Sequence, residues 1–422
     1  MQAQGLILLA LLIGGGGLAY GLRNLAIQLV ALAILAANPS LIRSFIARAP
    51  RPLPILVACS LALPLVQLVP LPPGLWQALP GRGPVEESFA ILGVEDAWFP
   101  LSLDPMRSFV AFCGTLAPAT IVIVASQLDT EERLRLVRTA ILACALVFAI
   151  GAVQLTSANT LGLLYAERTQ PDVLYATFPN RNSTAMLFVV ALALLAGTGA
   201  RLRLPGGRWT LAALAAFFVL GAVLTQSRSG MALLVPVAAF AAWRGADERA
   251  NGWRIVTLGG IVAVAVLGAS LASGGRVSDS VERFSEGAAD RPEMWEDSLY
   301  AARHYAPFGS GMGTFDEVFQ LHESLEYVSP RKAGRAHSDW LEIAIEGGVV
   351  ALALALGWLA WSGYAALKAP ASQDRWMRRG AGVAIGCIAL QSLLDYPLRN
   401  QSLLCMAALC VAVLAWQREA AR

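Results

Sequence analysis

Apolar stretches long enough to cross a lipid bilayer recur from one end of the chain to the other, and they exclude most soluble folds. A transmembrane helix needs about 20 mainly apolar residues to cross a hydrocarbon core of ~30 Å. Charged residues are 14% of the chain, against roughly 25% in soluble domains. The sequence predicts an all-α, polytopic integral membrane protein with about 12 transmembrane helices. The candidate spans are residues 5–21, 24–38, 53–72, 106–126, 136–155, 184–200, 209–225, 230–243, 255–272, 338–363, 380–396 and 401–416.

Basic residues are concentrated in every second predicted loop. They cluster in segments 43–51, 132–138, 201–208, 243–254 and 368–379, whereas the loops between these segments carry isolated arginines. Cytoplasmic loops of membrane proteins are enriched in lysine and arginine. We therefore expect the basic segments and both termini in the cytoplasm, and the sparsely charged loops on the outer side.

The longest polar segment, residues 273–337, lies between the ninth and tenth predicted spans and falls on the outer side. It contains all three histidines of the chain. Its stretch ADRPEMWEDSLYAARHY is predicted to be helical, with Pro292 near the first turn. The expected organisation is nine helices with short loops at 1–272, a large and partly helical outer loop at 273–337, and three helices with a cytoplasmic tail at 338–422.

Two arginines of the predicted outer face are candidate phosphate ligands. Arg228, with Ser227 beside it, lies in TQSRSG between two apolar spans. A guanidinium is always charged and donates to phosphate oxygens in a planar fork, although an arginine that only marks the membrane interface fits this position equally well. Arg291 opens a predicted helix, and helix N-termini attract anions. The alternative for Arg291 is an ordinary loop charge paired with Asp290 or Glu293.

Three further polar residues of this face are candidates for substrate binding. Asn182 opens the sixth predicted span in FPNRNSTAM and is either a substrate ligand or the helix N-cap. Arg181 beside it is another candidate phosphate ligand. Arg399 is a further isolated arginine of the predicted outer loops, and we include it among the candidate substrate-binding residues.

The strongest candidate for a catalytic residue is His337, at the start of the tenth predicted span. It is followed by Ser338, and a helix beginning here places Asp339, Glu342 and Glu346 on or near one face. An imidazole is suited to take a proton from a sugar hydroxyl near neutral pH. The alternative is a histidine that only caps the helix or lies at the interface. On the chemical interpretation His337 is a general base oriented by Asp339 or a loop carboxylate, and Ser338 and Asp339 contact the substrate.

Several other kinds of chemistry lack support in the sequence. The spacing of the histidines fits no compact metal-ligand motif. Neither a phosphate-binding GxxxxGK[ST] loop nor a Gly-x-Ser-x-Gly elbow occurs. The net charge of +3 is too small to indicate a nucleic-acid partner. We therefore expect no metal, no cofactor and no nucleic acid.

Four stretches of the chain resemble, in order, motifs of the O-antigen ligase and polymerase superfamily. They are FPNRNSTAM, TQSRSGMALL, RPEMWEDSLYAARHYAPFGSGMGTF and HSDWLEIAIEGGVVAL. In the fourth stretch, His337, Ser338 and Gly348 fit the ligase pattern of His, then Asn, Ser or Gln, nine residues, then Gly. Ala351 stands where the family usually has Gly, Thr or Tyr, a departure that concerns helix packing more than chemistry. The similarity is firmest from about residue 178 to residue 352.

The resemblance implies a glycosyltransferase of the bacterial inner membrane with its active site facing the periplasm. The donor would be a glycan on undecaprenyl diphosphate, and the acceptor lipid A–core or another glycan. By this similarity Arg228 and Arg291 would bind the diphosphate, and His337 would serve the acceptor hydroxyl. Attack on the anomeric carbon from the side opposite the diphosphate would invert its configuration. Members of the family work without metal or ATP.

The sequence does not identify the acceptor. We favour an O-antigen ligase because of the His-Ser-x9-Gly pattern, with a polymerase of O-antigen or exopolysaccharide and a protein O-oligosaccharyltransferase as alternatives. From other classes, a polysaccharide transporter or lipid flippase and a scaffold subunit of an export complex are rivals. Transporters usually carry charges at mid-membrane and show repeated halves, whereas the distinctive charges here gather at the outer rim.

Overall fold

The computed structural model describes residues 1–17, 21–161, 164–165, 170–248, 290–326, 334–368 and 374–415. Over these residues the protein is mostly helical, as the apolar pattern predicts, with two short antiparallel strands, β1 (Pro70–Leu71) and β2 (Phe99–Pro100). Turns of 3-10 helix cover Gly199–Leu202 and Pro397–Arg399. The helices are α1 (Gln2–Ile13), α2 (Gly21–Ala37), α3 (Ser40–Arg48), α4 (Pro52–Val66), α5 (Pro73–Trp76), α6 (Gly83–Leu92), α7 (Pro105–Ala125), α8 (Thr130–Thr156), α9 (Arg181–Thr198), α10 (Arg208–Leu224), α11 (Arg228–Ala232), α12 (Leu234–Glu248), α13 (Asp290–His304), α14 (Phe315–His322), α15 (Asp339–Leu367), α16 (Arg375–Gln391) and α17 (Gln401–Leu414).

Four of the described helices, α7, α8, α9 and α15, are long and apolar enough to cross a membrane. Helices α2 and α3 form a further candidate, a pair bent by 83° at a short break, and α1, α4, α10 and α17 are apolar but shorter. The chain is therefore a helical membrane protein. The count of 12 spans stays a prediction, and the predicted ninth span at 255–272 lies outside the described residues together with segment 273–289. The helix predicted within the outer loop is observed as α13.

Several predicted spans differ in detail from the observed helices. The first, at 5–21, ends as α1 at Ile13, and the eleventh, at 380–396, ends as α16 at Gln391. The third, at 53–72, ends as α4 at Val66, because Pro70 and Leu71 pair instead with strand β2. The eighth, at 230–243, is divided between α11 and α12.

Helix α9 is the most buried of the four long spans, with 83% of its apolar window inside the protein. It crosses α16 at two glycines. A Cβ added to Gly197 would lie 2.7 Å from Trp376 O, and one added to Gly380 would lie 2.7 Å from Ala193 O. The two backbones therefore touch at this end. The crossing holds the helices together, and the residues just before α9 and just after α16 meet at the opposite end.

Helix α15 is interrupted at Gly348, where φ is +57° and ψ is −146°. A glycine-rich turn, residues 306–315, packs against this break. Val349 N donates to Pro307 O at 3.0 Å, and two more backbone bonds join the turn to residues 345–346. A side chain at Gly348 would clash with the carbonyl oxygen of Pro307. The break therefore attaches the glycine-rich turn at 306–315 to helix α15.

This geometry predicts that Gly348→Ala destabilises the protein, because almost only glycine adopts this conformation and the strain costs on the order of 1–3 kcal/mol. Gly363→Ala in the same helix is the matched control. A Cβ there meets nothing within 4 Å, and alanine favours a helix over glycine by about 0.5–1 kcal/mol. The midpoint of thermal unfolding in detergent should fall for the first variant and hold or rise for the second. Equal shifts for both would contradict the assignment of the break.

Candidate active site

The first turn of α15 is anchored to the segment that follows α16. Ser338 is the N-cap, and its hydroxyl accepts a hydrogen bond from Leu341 N at 3.4 Å. Asp339 N donates to Asp395 O at 3.1 Å, and Ser392 Oγ donates to Asp339 Oδ2 at 2.8 Å. These bonds fix the residue that precedes the helix relative to the end of α16.

His337 and Asp395 form a hydrogen-bonded pair at this junction. Nδ1 of His337 lies 3.2 Å from Oδ1 of Asp395, and Asn180 Nδ2 donates to Asp395 Oδ2 at 3.2 Å. The carboxylate side chain is 1% exposed, whereas the imidazole is 37% exposed. A carboxylate only accepts hydrogen bonds, so Nδ1 is the donor in this bond, and in a neutral imidazole Nε2 then keeps its lone pair. This arrangement is suited to general-base chemistry.

The backbone of His337 lies in the left-handed region, with φ of +49°. Residues other than glycine rarely adopt this conformation, and it persists where the surroundings hold it in place. Here the imidazole packs beside the ring of Tyr396, with 5.2 Å between centroids. The histidine is therefore held from both its backbone and its ring.

Asp395 is the functional candidate that the sequence does not single out. The sequence suggests Asp339 or a loop carboxylate as the partner of the imidazole, but the observed partner is Asp395, which lies inside the predicted span at 380–396. Asp339 instead accepts hydrogen bonds from Ser392 Oγ and, at 3.2 Å, from Leu398 N. Asp395 is 58 positions from the histidine it contacts. The signal that points to it is a carboxylate at the end of an apolar run, where an ionisable group is costly and often functional.

Arg399 lies at the centre of a buried ion cluster against the face of α15. Its guanidinium is 3.4 Å from Asp339 Oδ1, 3.0 Å from Glu342 Oε2 and 2.7 Å from Glu346 Oε2. Arg335 Nη1 adds an ion pair with Glu342 Oε2 at 3.0 Å. Burial works to lower the pKa of Arg399, but the carboxylates outweigh burial and hold that pKa above its ordinary value. The sequence suggests a substrate contact for Arg399, whereas its described contacts tie the 397–399 turn to α15.

The starts of α9 and α11 are joined by side-chain hydrogen bonds. The N-cap of α9 is Asn180, whose Oδ1 accepts from Asn182 N at 2.9 Å, so the N-cap alternative for Asn182 is wrong. Asn182 Oδ1 accepts a hydrogen bond from Ser227 Oγ at 2.8 Å. Ser227 in turn caps α11 by accepting from Gly230 N at 3.2 Å. Since Asn180 also bonds Asp395, this network connects both helix starts to the histidine–aspartate pair.

Two of the predicted phosphate ligands are the first residues of these helices. Arg181 begins α9, and its Nη1 donates to Gln170 Oε1 at 3.2 Å. Arg228 begins α11 directly after its cap. Both arginines are partly exposed. The structure thus brings Arg181, Asn182, Ser227 and Arg228 into one group beside the pair.

The third predicted phosphate ligand, Arg291, is the second residue of α13. Its side chain lies outside the described residues, but the place of its helix is clear. Trp295, one turn later, donates from Nε1 to Ala336 O at 2.9 Å. The start of α13 therefore lies against the segment that carries His337.

The other two histidines form a separate cluster. The rings of His304 and His322 are 4.8 Å apart between centroids, and His322 Nε2 lies 3.0 Å from the hydroxyl oxygen of Tyr305. Burial and then the neighbouring His304 lower the pKa of His322. Within the described ranges, no group of three or more His, Cys, Asp or Glu side chains is arranged to hold a metal ion.

A comparison with protein families matches residues 211–356 to the O-antigen ligase family. The matched segment contains Arg228, Arg291, His337 and Ser338, while Asn180, Asp395 and Arg399 lie outside it. No curated protein matches the chain. The match covers the second, third and fourth of the motif stretches, while FPNRNSTAM at 178–186 lies before it. Over residues 211–356 the chain is therefore similar to the O-antigen ligase family, and four of its described helices are long and apolar enough to cross a membrane.

Proposed function

We propose that the protein is an O-antigen ligase that transfers a glycan from undecaprenyl diphosphate to a hydroxyl of lipid A–core at the periplasmic face of the inner membrane. The observation that carries the proposal is the His337–Asp395 pair beside the arginine-bearing starts of α9 and α11. Transfer from a lipid diphosphate needs a base for the attacking hydroxyl and cations for the departing phosphate. The His337–Asp395 pair would supply the base, and the arginines at the starts of α9 and α11 would supply the cations.

In the proposed reaction, Nε2 of His337 takes the proton of the acceptor hydroxyl as its oxygen attacks the anomeric carbon. Asp395 keeps the Nδ1 hydrogen bond and stabilises the imidazolium that forms. The new bond to the acceptor oxygen forms while the bond to the diphosphate oxygen breaks, and the electron pair leaves with undecaprenyl diphosphate. Attack from the face opposite the leaving group inverts the anomeric configuration. The imidazolium then returns its proton to solvent.

Negative charge grows on the diphosphate as this bond breaks, and we assign its stabilisation to Arg228 and Arg291. Fixed cations act more strongly in a partly dry site than in water, because little solvent screens them. Arg181 is a further ligand at the start of α9. Asn182 and Ser227, which bond each other, hold the start of α11 in place. Ser338, Asp339 and Arg399 support the residues that flank the pair.

A polymerase of the same family would use the same donor chemistry with a second lipid-linked glycan as acceptor, and a protein O-oligosaccharyltransferase would use a side-chain hydroxyl. A transporter would move the donor without making a glycosidic bond. Purified protein in liposomes, given undecaprenyl-diphosphate-linked glycan with and without lipid A–core, distinguishes these functions by mass spectrometry of the lipids. A ligase needs lipid A–core for donor consumption, whereas a polymerase lengthens the lipid-linked glycan without it.

His337→Ala removes the proposed base. We expect the transfer rate in this assay to fall about 10²–10⁴-fold, the usual contribution of general acid–base catalysis, with partial recovery when imidazole is added. His304→Ala is the matched control, since His304 belongs to the separate cluster and should leave the rate near that of wild type. A wild-type rate for His337→Ala would contradict the assignment.

Arg228→Ala removes a proposed diphosphate ligand. A hydrogen bond to a charged group contributes about 1.5–3 kcal/mol, so kcat/KM for the donor should fall about 10–100-fold, and Arg228→Lys should recover part of the loss. Arg208→Ala is the control, because it removes an arginine from the first residue of α10 on the predicted cytoplasmic side. If both alanine variants have the kcat/KM of wild type, Arg228 does not bind the donor.

Asp395→Asn tests the positioning of the base. An amide in place of the carboxylate allows the imidazole to turn its other tautomer toward the acceptor, and kcat should fall on the order of 10²–10⁴-fold with little change in the KM for the donor. The exposed Asp96, changed to Asn, is the control and should behave as wild type. A raised KM with unchanged kcat would show instead that Asp395 shapes the binding site.

A further inference from the structure

An apolar groove of about 470 Å³ runs along the surface between α15 and α16. Leu390 and Leu393 on its rim are 52% and 50% exposed, so the groove opens on the outside of the helix bundle. Among the described residues nothing covers this surface, and we take it to face lipid. The residues that define the groove are Trp340, Leu359 and Gly363 on one side and Gly386, Leu390 and Leu393 on the other.

The groove exists because glycines leave space between the two helices. A Cβ added to Gly382 would lie 2.5 Å from the Cβ of Ala366, so α15 and α16 touch at that point. A Cβ added to Gly363 or Gly386, by contrast, would meet nothing within 4 Å. These two glycines therefore border open space rather than a close helix–helix contact of the kind that small residues usually serve.

One end of the groove lies at the candidate active site. Trp340 is three residues after His337, and its Nε1 donates to Ala389 O at 3.4 Å across the two helices. Leu393 is two residues before Asp395. A chain lying in the groove would therefore have its outer end beside the histidine–aspartate pair.

The lining suits a hydrocarbon chain. The indole N–H of Trp340 is already bonded, and the nearby Ser362 is 2% exposed. Nothing in the groove therefore requires a polar partner. From Gly382 to Leu390 the wall formed by α16 is about 12 Å long at 1.5 Å per residue, which is less than half of a ~30 Å hydrocarbon core. The groove thus fits the part of a chain nearest its head group.

We propose that this groove binds the first part of the polyprenyl chain of the donor and so holds the diphosphate at the candidate active site. This inference rests on the proposed function, which names a polyprenyl-linked donor. Continuity with the site favours this occupant over bulk lipid, because the helix start that carries His337 and the helix end that precedes Asp395 also form the groove walls. Binding of the chain and alignment of the reacting sugar are then set by the same two helices.

Gly386→Leu fills the groove at a position where an added Cβ meets nothing within 4 Å. Gly5→Leu in α1 is the matched control, because a Cβ at Gly5 also meets nothing within 4 Å. Two donors with the same glycan are compared, one on undecaprenyl diphosphate and one on methyl diphosphate, which has no prenyl chain. We expect Gly386→Leu to raise the KM for the undecaprenyl donor about tenfold or more, the usual effect of a changed apolar pocket. The KM for the methyl diphosphate donor should change little, and Gly5→Leu should match wild type with both.

Binding of undecaprenyl diphosphate without a glycan, measured by native mass spectrometry, tests the groove independently of turnover. Weaker binding by Gly386→Leu than by Gly5→Leu supports the proposal even if the wild type transfers no glycan, a result that would overturn the proposed function alone. Equal binding and equal KM values in both variants overturn the groove and leave the proposed function intact. A higher KM for lipid A–core alone, or a dimer lost in Gly386→Leu with donor kinetics unchanged, also overturns it, by assigning the groove to acceptor acyl chains or to a second copy.

Discussion

The buried ion cluster around Arg399 is the interaction on which the geometry of the site depends. Its carboxylates come from successive turns of α15, and its guanidinium comes from the short turn after α16. Burying charges is costly, and removing one partner of a buried pair typically costs about 3–5 kcal/mol because the other charge is left uncompensated. The cluster therefore fixes the register between two segments far apart in sequence. Asp395 lies in the segment so fixed, and this brings it within hydrogen-bonding distance of His337.

In the proposed orientation, the junction between α15 and the segment after α16 lies at the membrane–water interface. The break at Gly348 lets a glycine-rich turn of the outer loop bond to a spanning helix, and Asn180 connects the pair to the arginine-bearing helix starts. An apolar groove ends at this place, and the imidazole is 37% exposed there. On the proposed function, a lipid-borne donor and an acceptor hydroxyl meet at this histidine without either substrate crossing the bilayer.

Much of the architecture is visible in the sequence, because each of the long spans carries a local run of apolar residues. His337 is also visible, since polar residues at the start of such a run stand out. Asp395 is not, because no local pattern records a contact over 58 positions. The break at Gly348 also escapes prediction, since it depends on a loop that packs there only in the folded chain. The cap of α9 is Asn180 rather than Asn182, a shift of two positions that neighbouring capping residues make hard to predict.

The anomeric configuration of the product tests the central claim, direct displacement by a hydroxyl that His337 activates. A donor of known configuration would be transferred by the purified protein in liposomes, and the new linkage determined by NMR. Direct displacement predicts an inverted linkage, because the acceptor attacks opposite the diphosphate. A retained configuration would contradict it, since one displacement from the opposite face cannot retain the configuration.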